Sequence, residues 1–113
     1  MQPTQFQIER EQRGEMLVLT ARGEIDMASV GGLSHALETA LGNGGEVWLD
    51  LCEVDFMDST GLTALVRCHR AANDGHYRFR IICPAGPVWR AIELSGLHQV
   101  LPVYSSCAAA GAG

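Results

Sequence analysis

Residues 46–73 read EVWLDLCEVDFMDSTGLTALVRCHRAAN, and this stretch contains a strand, a junction and a helix. Residues 46–51 are mostly apolar, which predicts a buried strand. From Asp58 to Asn73 apolar side chains recur at three- and four-residue spacing, which predicts an amphipathic helix. Residues 52–57 between them are predicted to form a short acidic loop. A buried strand followed by a helix is the repeating unit of an α/β fold.

Toward the N-terminus the pattern continues with two strands and a helix. Residues 6–10 alternate between apolar and polar side chains, and residues 16–21 (MLVLTA) are more continuously apolar. Gly14 between them is a hairpin signal. Asp26 is predicted to cap a helix whose apolar positions run over residues 30–41.

Toward the C-terminus residues 77–83 predict another strand, and Pro87 suits the first position of a third helix. Residues 101–104 predict a short last strand. The small side chains of residues 105–113 predict a frayed end or a single helical turn. The order β-β-α-β-α-β-α-β predicts an α/β domain with a mixed four- to five-stranded sheet packed with three or four helices. We expect one domain with its core at about residues 6–104.

The composition argues against nucleic-acid binding. The 113 residues carry a net charge of −5, and every basic residue apart from histidine is arginine. Such a chain lacks the positive surface that binds phosphate backbones, so no direct nucleic-acid partner is expected. Four arginines do cluster locally, and we interpret them as a solvated helix face and an edge strand: Arg67, Arg70, Arg78 and Arg80.

The cysteines and the first residues indicate a cytoplasmic protein. The four cysteines form no C-x-x-C pair and have no histidine at zinc-ligand spacing, so we expect reduced thiols and neither metal nor cofactor. Reduced thiols are typical of the cytosol. Residues 1–13 lack the apolar segment of a signal peptide, and no apolar run is long enough to cross a bilayer. Membrane insertion is therefore not expected, and the sequence carries no signal for an oligomeric state.

Ser59, at the start of the predicted helix, has three interpretations. As a helix cap it would accept a hydrogen bond from a first-turn amide. As a hydrolase nucleophile it would need a G-x-S-x-G turn, but Met57 occupies the first glycine position. No histidine and carboxylate are placed by the sequence to activate it, which argues against catalysis.

Phosphorylation is the third interpretation of Ser59. A phosphate at a helix N-terminus meets free backbone N–H groups and the positive end of the helix dipole, so the helix should persist. Gly61 leaves room for another protein's active site to approach the hydroxyl. Phosphorylation adds about 1.5 to 2 negative charges at pH 7. Because Asp26, Asp55 and Asp58 already make this surface acidic, the added charge finds no local cationic partner.

Residues 54–62, VDFMDSTGL, resemble the signature of STAS domains, specifically that of the bacterial anti-sigma factor antagonists. The resemblance extends to residues 23–26 (GEID) and 92–97 (IELSGL). It covers about residues 6–104. Many family members end in a longer helix, of which residues 105–113 supply little.

The resemblance implies a binding protein that is not an enzyme. Family members bind an anti-sigma factor, itself a serine kinase, and thereby free a sigma factor for transcription. The kinase phosphorylates the serine that matches Ser59 and breaks the complex, and a serine phosphatase restores it. Thr60 is at best a secondary acceptor. The implied partner-binding surface comprises Asp26, Asp55, Met57, Asp58, Ser59, Thr60 and Gly61.

Two alternatives remain open at this point. A STAS-type accessory subunit of a membrane transporter would bind the transporter's cytosolic ATPase, but that role does not require a phosphorylatable serine. A small hydrolase using Ser59 would lack both a base and an oxyanion site.

Overall fold

A five-stranded sheet with four α-helices forms the fold in the computed structural model, which describes residues 5–43 and 45–112. The order of strands and helices agrees with the predicted one. The elements, in chain order, are β1 (Gln7–Arg13), β2 (Met16–Ile25), α1 (Val30–Gly42), β3 (Glu46–Met57), α2 (Ser59–Asp74), β4 (Arg78–Ile82), α3 (Pro87–Leu94), a 3-10 turn (Leu97–Gln99), β5 (Val103–Tyr104) and α4 (Cys107–Ala112).

The sheet is mixed, as predicted. Its strands lie in the order β1-β2-β3-β4-β5. Strands β1 and β2 pair antiparallel through a two-residue turn at Gly14 and Glu15, where Gly14 adopts φ +62°. The other neighbouring pairs are parallel, and a helix connects each of them, since parallel strands need a crossover.

The core lies mainly on one face of the sheet, where α1, α2 and α3 pack. Its fully buried side chains come from both layers and include Leu19, Ile25, Leu33, Leu49, Leu65, Ile81 and Ile92. The opposite face carries a smaller cluster of Val18, Trp48 and Ile82, which Ala110 of α4 covers. Most of the hydrophobic stabilisation therefore comes from the three-helix face, because burial scales with apolar area.

Strand β3 is longer than the sequence predicts, and the acidic loop predicted at residues 52–57 is wrong. The strand continues to Met57 through two irregularities in its pairing with β2. Each adds one residue to β3, so Leu51, Val54 and Met57 are buried at a spacing of three instead of two. A regular strand buries every second residue, so a spacing of three makes this segment of the sequence resemble a loop. Strand β2 likewise extends past residues 16–21, to Ile25.

The predicted cap at Asp26 is also wrong. Helix α1 begins at Val30, with Ser29 at its N-cap position. The Asp26 Oδ1 atom instead accepts hydrogen bonds from the amides of Ala28 (3.0 Å) and Ser29 (3.2 Å). Asp26 thus stabilises the tight turn between β2 and α1. Aspartate is favoured in such turns as well as at helix N-caps.

The C-terminal segment, predicted as a frayed end or a helical turn, forms the short helix α4. Ala110 has 0% of its surface exposed because it packs against the Trp48 cluster. A small side chain fits this position because the helix lies close to the indole ring. The burial of Ala110 thus anchors α4, a segment that its composition alone predicts to be unstructured.

The thiols and arginines of the chain follow the predictions in part. All four cysteines are free; Cys68 and Cys83 are buried, whereas Cys52 and Cys107 are exposed. Burial raises the pKa of the Cys68 thiol to about 12. Arginines 67 and 70 are exposed on α2, as predicted. Arginines 78 and 80 lie on β4, which β5 flanks, so the predicted edge strand is wrong.

The packing of α4 generates a first prediction. Ala110→Glu should lower the free energy of unfolding by about 1–3 kcal/mol, because the larger carboxylate overfills an apolar site. Urea unfolding measures the change, and a red shift of Trp48 emission should accompany it. Ala109→Glu is the matched control, since Ala109 is exposed on the same helix. Equal destabilisation by the two substitutions would contradict the docking of α4.

Candidate functional site

The candidate site lies where β2 and β3 end side by side. Ile25 pairs with Met57 at the ends of the two strands, and the Asp58 amide donates to the Ile25 carbonyl at 3.1 Å. Asp26 follows the first strand and Ser59 follows the second. Parallel pairing therefore brings these two residues to the same edge of the sheet, the carboxyl edge at which α/β proteins meet their partners.

Asp58 is the N-cap residue of α2. Its Oδ1 atom accepts hydrogen bonds from the Thr60 amide (2.9 Å), the Thr60 hydroxyl (2.5 Å) and the Gly61 amide (3.4 Å). Donation by the Thr60 hydroxyl is the largest cause that holds the pKa of Asp58 below its ordinary value. Asp58 is therefore a carboxylate at neutral pH, as a residue at the positive end of a helix should be.

Ser59 is the first residue of α2 and is exposed. Its hydroxyl has no hydrogen-bond partner in the described part of the chain, although its carbonyl accepts from the Thr63 hydroxyl at 2.9 Å. The interpretation of Ser59 as a helix cap is therefore wrong, because Asp58 provides the cap. The Ser59 hydroxyl is left accessible, whereas that of Thr60 is already engaged with Asp58.

Gly61 and Met57 lie beneath this surface instead of on it. Gly61 is buried, and a Cβ atom at this position would lie 2.5 Å from Met57 Cγ and 2.8 Å from Ile25 Cγ2. Met57 is only 5% exposed. The predicted surface therefore loses these two residues. The tight start of α2 against the strand ends accounts for a glycine at position 61.

Two exposed apolar side chains flank the acidic positions, and the sequence interpretation misses both as surface residues. Met27 is 81% exposed and follows Asp26; Phe56 is 48% exposed and lies beside Asp55 on β3. The sequence does carry a signal for these two residues, because in each of the two segments a large apolar residue lies next to an aspartate. We use the name strand-end residues for the exposed or half-buried residues Asp26, Met27, Asp55, Phe56, Asp58 and Ser59.

The strand-end residues are acidic, since three of the six are aspartates. Within residues 5–43 and 45–112, no ion pair involves Asp26, Asp55 or Asp58. No group of three or more His, Cys, Asp or Glu residues in the described ranges is arranged to hold a metal ion. The helices of those ranges also include none that is long and apolar enough to cross a membrane.

Comparison with known proteins identifies the fold. The family model for the STAS domain matches residues 7–110. An anti-sigma F factor antagonist from Paenibacillus polymyxa is 26% identical over 103 residues, which cover 89% of this chain and 88% of that protein.

Solved structures agree with the family match. The crystal structure of an anti-sigma factor antagonist from Mycobacterium paratuberculosis superposes with a TM-score of 0.89 at 24% identity, over 98% of this chain and 95% of that one. Bacillus SpoIIAA in its phosphorylated form superposes with a TM-score of 0.65 at 21% identity, over 90% of this chain and 93% of that one. At these identities the likeness shows a common fold.

The close packing at Gly61 gives a second prediction. Gly61→Ala should lower the free energy of unfolding by about 1–3 kcal/mol, because the added methyl group collides with Met57 and Ile25. Gly31→Ala in α1 is the matched control. A methyl group added there would meet no atom within 4 Å, so the free energy of unfolding should rise by up to about 1 kcal/mol. Urea unfolding compares them, and a stabilised Gly61→Ala variant would contradict the packing.

Proposed function

The chain belongs to the STAS domain family, and on that premise we propose that it is an anti-sigma factor antagonist that phosphorylation of Ser59 switches off. In its unmodified form it binds a serine-kinase anti-sigma factor in the cytoplasm and so releases a sigma factor for transcription. It is a regulatory binding protein and not an enzyme. The observation that carries the proposal is the exposed, unbonded Ser59 hydroxyl at the junction of β3 and α2.

The difference between adjacent hydroxyls supports Ser59 as the phosphoacceptor. Thr60 is half-buried and its hydroxyl donates to the Asp58 carboxylate, so a kinase would have to break that bond to reach it. No comparable bond restrains Ser59 within the described residues. The kinase therefore meets one accessible nucleophile in the D-S-T-G segment.

Phosphoryl transfer needs no catalytic group from this chain. The Ser59 Oγ atom attacks the γ-phosphorus of ATP held by the kinase; the Oγ–P bond forms as the bond from that phosphorus to the ADP oxygen breaks. The hydroxyl proton passes to a base on the kinase. A serine phosphatase reverses the modification by hydrolysis, in which water takes the phosphoryl group as inorganic phosphate.

The two apolar strand-end residues, Met27 and Phe56, support binding of the unmodified form. Full burial of a side chain such as Met27 or Phe56 contributes about 1.5–3 kcal/mol each. Hot spots of this kind commonly sit inside a polar rim, which the three aspartates would supply. Met27 follows the end of β2 and Phe56 lies one residue before the end of β3, so both are in the segments that lead into the Ser59 edge of the sheet.

The charge added by phosphorylation accounts for the proposed dissociation of the complex with the anti-sigma factor. Phosphorylation adds about 1.5 to 2 negative charges at pH 7 to a surface that already carries Asp26, Asp55 and Asp58. Arg67 lies eight residues further along α2, about 12 Å along the helix axis, and lines a groove together with Thr60 and Thr63. An unpaired anion covered by a partner costs about 2–5 kcal/mol, or roughly 30-fold to several thousand-fold in affinity.

A second candidate function is that of an accessory subunit of a membrane transporter. Such a subunit would bind the transporter's cytosolic ATPase through the same fold. The accessible Ser59 hydroxyl favours the antagonist, because an accessory role does not require a phosphoacceptor. Co-purification with transporter subunits, and with no kinase, would support this second function instead.

A third prediction concerns the labelled residue. Incubation with ATP and a cognate serine-kinase anti-sigma factor should add one phosphate, as measured by intact-protein mass spectrometry. Ser59→Ala should abolish the gain, because it removes the accessible hydroxyl. Thr60→Val is the matched control and should keep the label. A phosphate that survives Ser59→Ala would assign the modification to another residue.

A fourth prediction isolates the effect of charge on binding. Ser59→Asp should weaken binding to the same anti-sigma factor by at least about 30-fold in calorimetry, because it buries an unpaired anion. Ser59→Asn has nearly the same shape without the charge and should bind much more tightly than Ser59→Asp. Circular dichroism should stay native for both. Equal affinities of the two variants would show that shape, and not charge, governs release.

A further inference from the structure

We propose that Asp58 forces a phosphate on Ser59 to stay uncompensated, because its carboxylate already occupies the amides of the first turn of α2. The inference rests on the proposed function only in taking Ser59 as the modified residue. It assigns to Asp58 a role in the switch that is separate from kinase recognition. Asp58 acts here through the helix amides, as a positioning residue.

The first turn of α2 has few donors left for a phosphate. The amides of Thr60 and Gly61 donate to Asp58 Oδ1 at 2.9 and 3.4 Å, and that of Leu62 donates to the Asp58 carbonyl at 3.2 Å. Only the amide of Ser59 itself has no partner in this turn among the described residues. The expectation that a phosphate would meet several free N–H groups at this helix start is therefore wrong.

The turn is also held in place on its inner side. The Asp58 amide donates to Ile25, and Gly61 lies against Met57 with no room for an added carbon atom. The Thr60 hydroxyl adds a further bond to the same Asp58 oxygen. A phosphate would have to displace Asp58 from two amides, those of Thr60 and Gly61, in order to gain them.

The charged residues of the segments next to Ser59 are acidic: Asp58 on its own helix, Asp26 after β2 and Asp55 on β3. Arg67 is the first cation along α2 and lines a groove with Thr60 and Thr63. Because like charges favour the protonated form, the second pKa of the phosphoserine should lie at or above the value of about 6 in an unstructured peptide. A phosphate that bound the helix amides would instead have its second pKa lowered.

The test uses the whole chain with phosphoserine installed at position 59 during translation, so it needs no kinase. Phosphorus NMR gives the second pKa, and proton–nitrogen spectra follow the amides of Thr60 and Gly61 through the same titration. A phosphoserine peptide of residues 55–63 supplies the reference. We expect the pKa to be no lower than in the peptide, and the two amides not to follow the phosphate titration.

Asp58→Asn is the decisive variant, because asparagine caps a helix about as well as aspartate but carries no charge. With it the phosphate should displace the neutral cap, so both amides should follow the titration and the pKa should fall below that of the parent chain. Asp26→Asn is the matched control: Asp26 holds other amides, so those of Thr60 and Gly61 should still ignore the phosphate.

Two results would overturn the inference: amides of Thr60 and Gly61 that track the phosphate in the parent chain, or an Asp58→Asn variant that behaves like the parent. Circular dichroism of each variant confirms that it is folded. Because the phosphate is installed without a kinase, a negative result here leaves the labelling experiment unaffected. A failed labelling experiment would likewise leave this measurement valid.

Discussion

The hydrogen bond from the Asp58 amide to the Ile25 carbonyl joins two parallel strands to the first turn of a helix, and the rest of the site depends on that junction. It closes the β2–β3 pairing at the Ile25–Met57 pair and sets the direction in which α2 leaves the sheet. Gly61 then packs against both side chains, which leaves no freedom in the first turn. Ser59 remains exposed because Asp58 and Gly61, its neighbours on the inner side of the turn, already contact the ends of the strands.

Three consecutive residues, Asp58, Ser59 and Thr60, have different roles at this junction. Asp58 accepts from the amides of Thr60 and Gly61, and Thr60 also donates to Asp58 through its hydroxyl, whereas the Ser59 hydroxyl has no partner among the described residues. In most helices a serine at this point would be tied up as the cap itself. Moving the cap one residue earlier separates stability from modification, so that the state of Ser59 can change without loss of the bonds that begin the helix.

Much of the fold can be predicted from the sequence, because regular elements have regular periods. The helix predicted from Asp58 to Asn73 and the hairpin at Gly14 have such patterns, and the structure confirms both, with the helix at Ser59–Asp74. Strand β3 is predicted too short because its two extra residues replace alternation with a spacing of three. The cap is misplaced for a different reason: Asp58 and Ser59 are both good capping residues, and only the backbone geometry distinguishes them. Likewise, nothing local in the sequence tells that Met57 points inward while Phe56 is exposed.

The two extra residues of β3 make this strand unequally tolerant of different kinds of mutation. Its exposed positions between Leu51 and Met57 lie outside the core, so many substitutions there should accumulate with little effect on folding. The effect of a deletion depends on where it falls. Loss of one residue at an irregularity, such as Cys52, would restore one-to-one pairing with β2 and keep Met57 opposite Ile25. Loss of a residue from the regularly paired stretch Glu46–Asp50 would move the residues on one side of the deletion to the opposite face of the sheet. A change of length is therefore best accommodated where the strand already carries an extra residue.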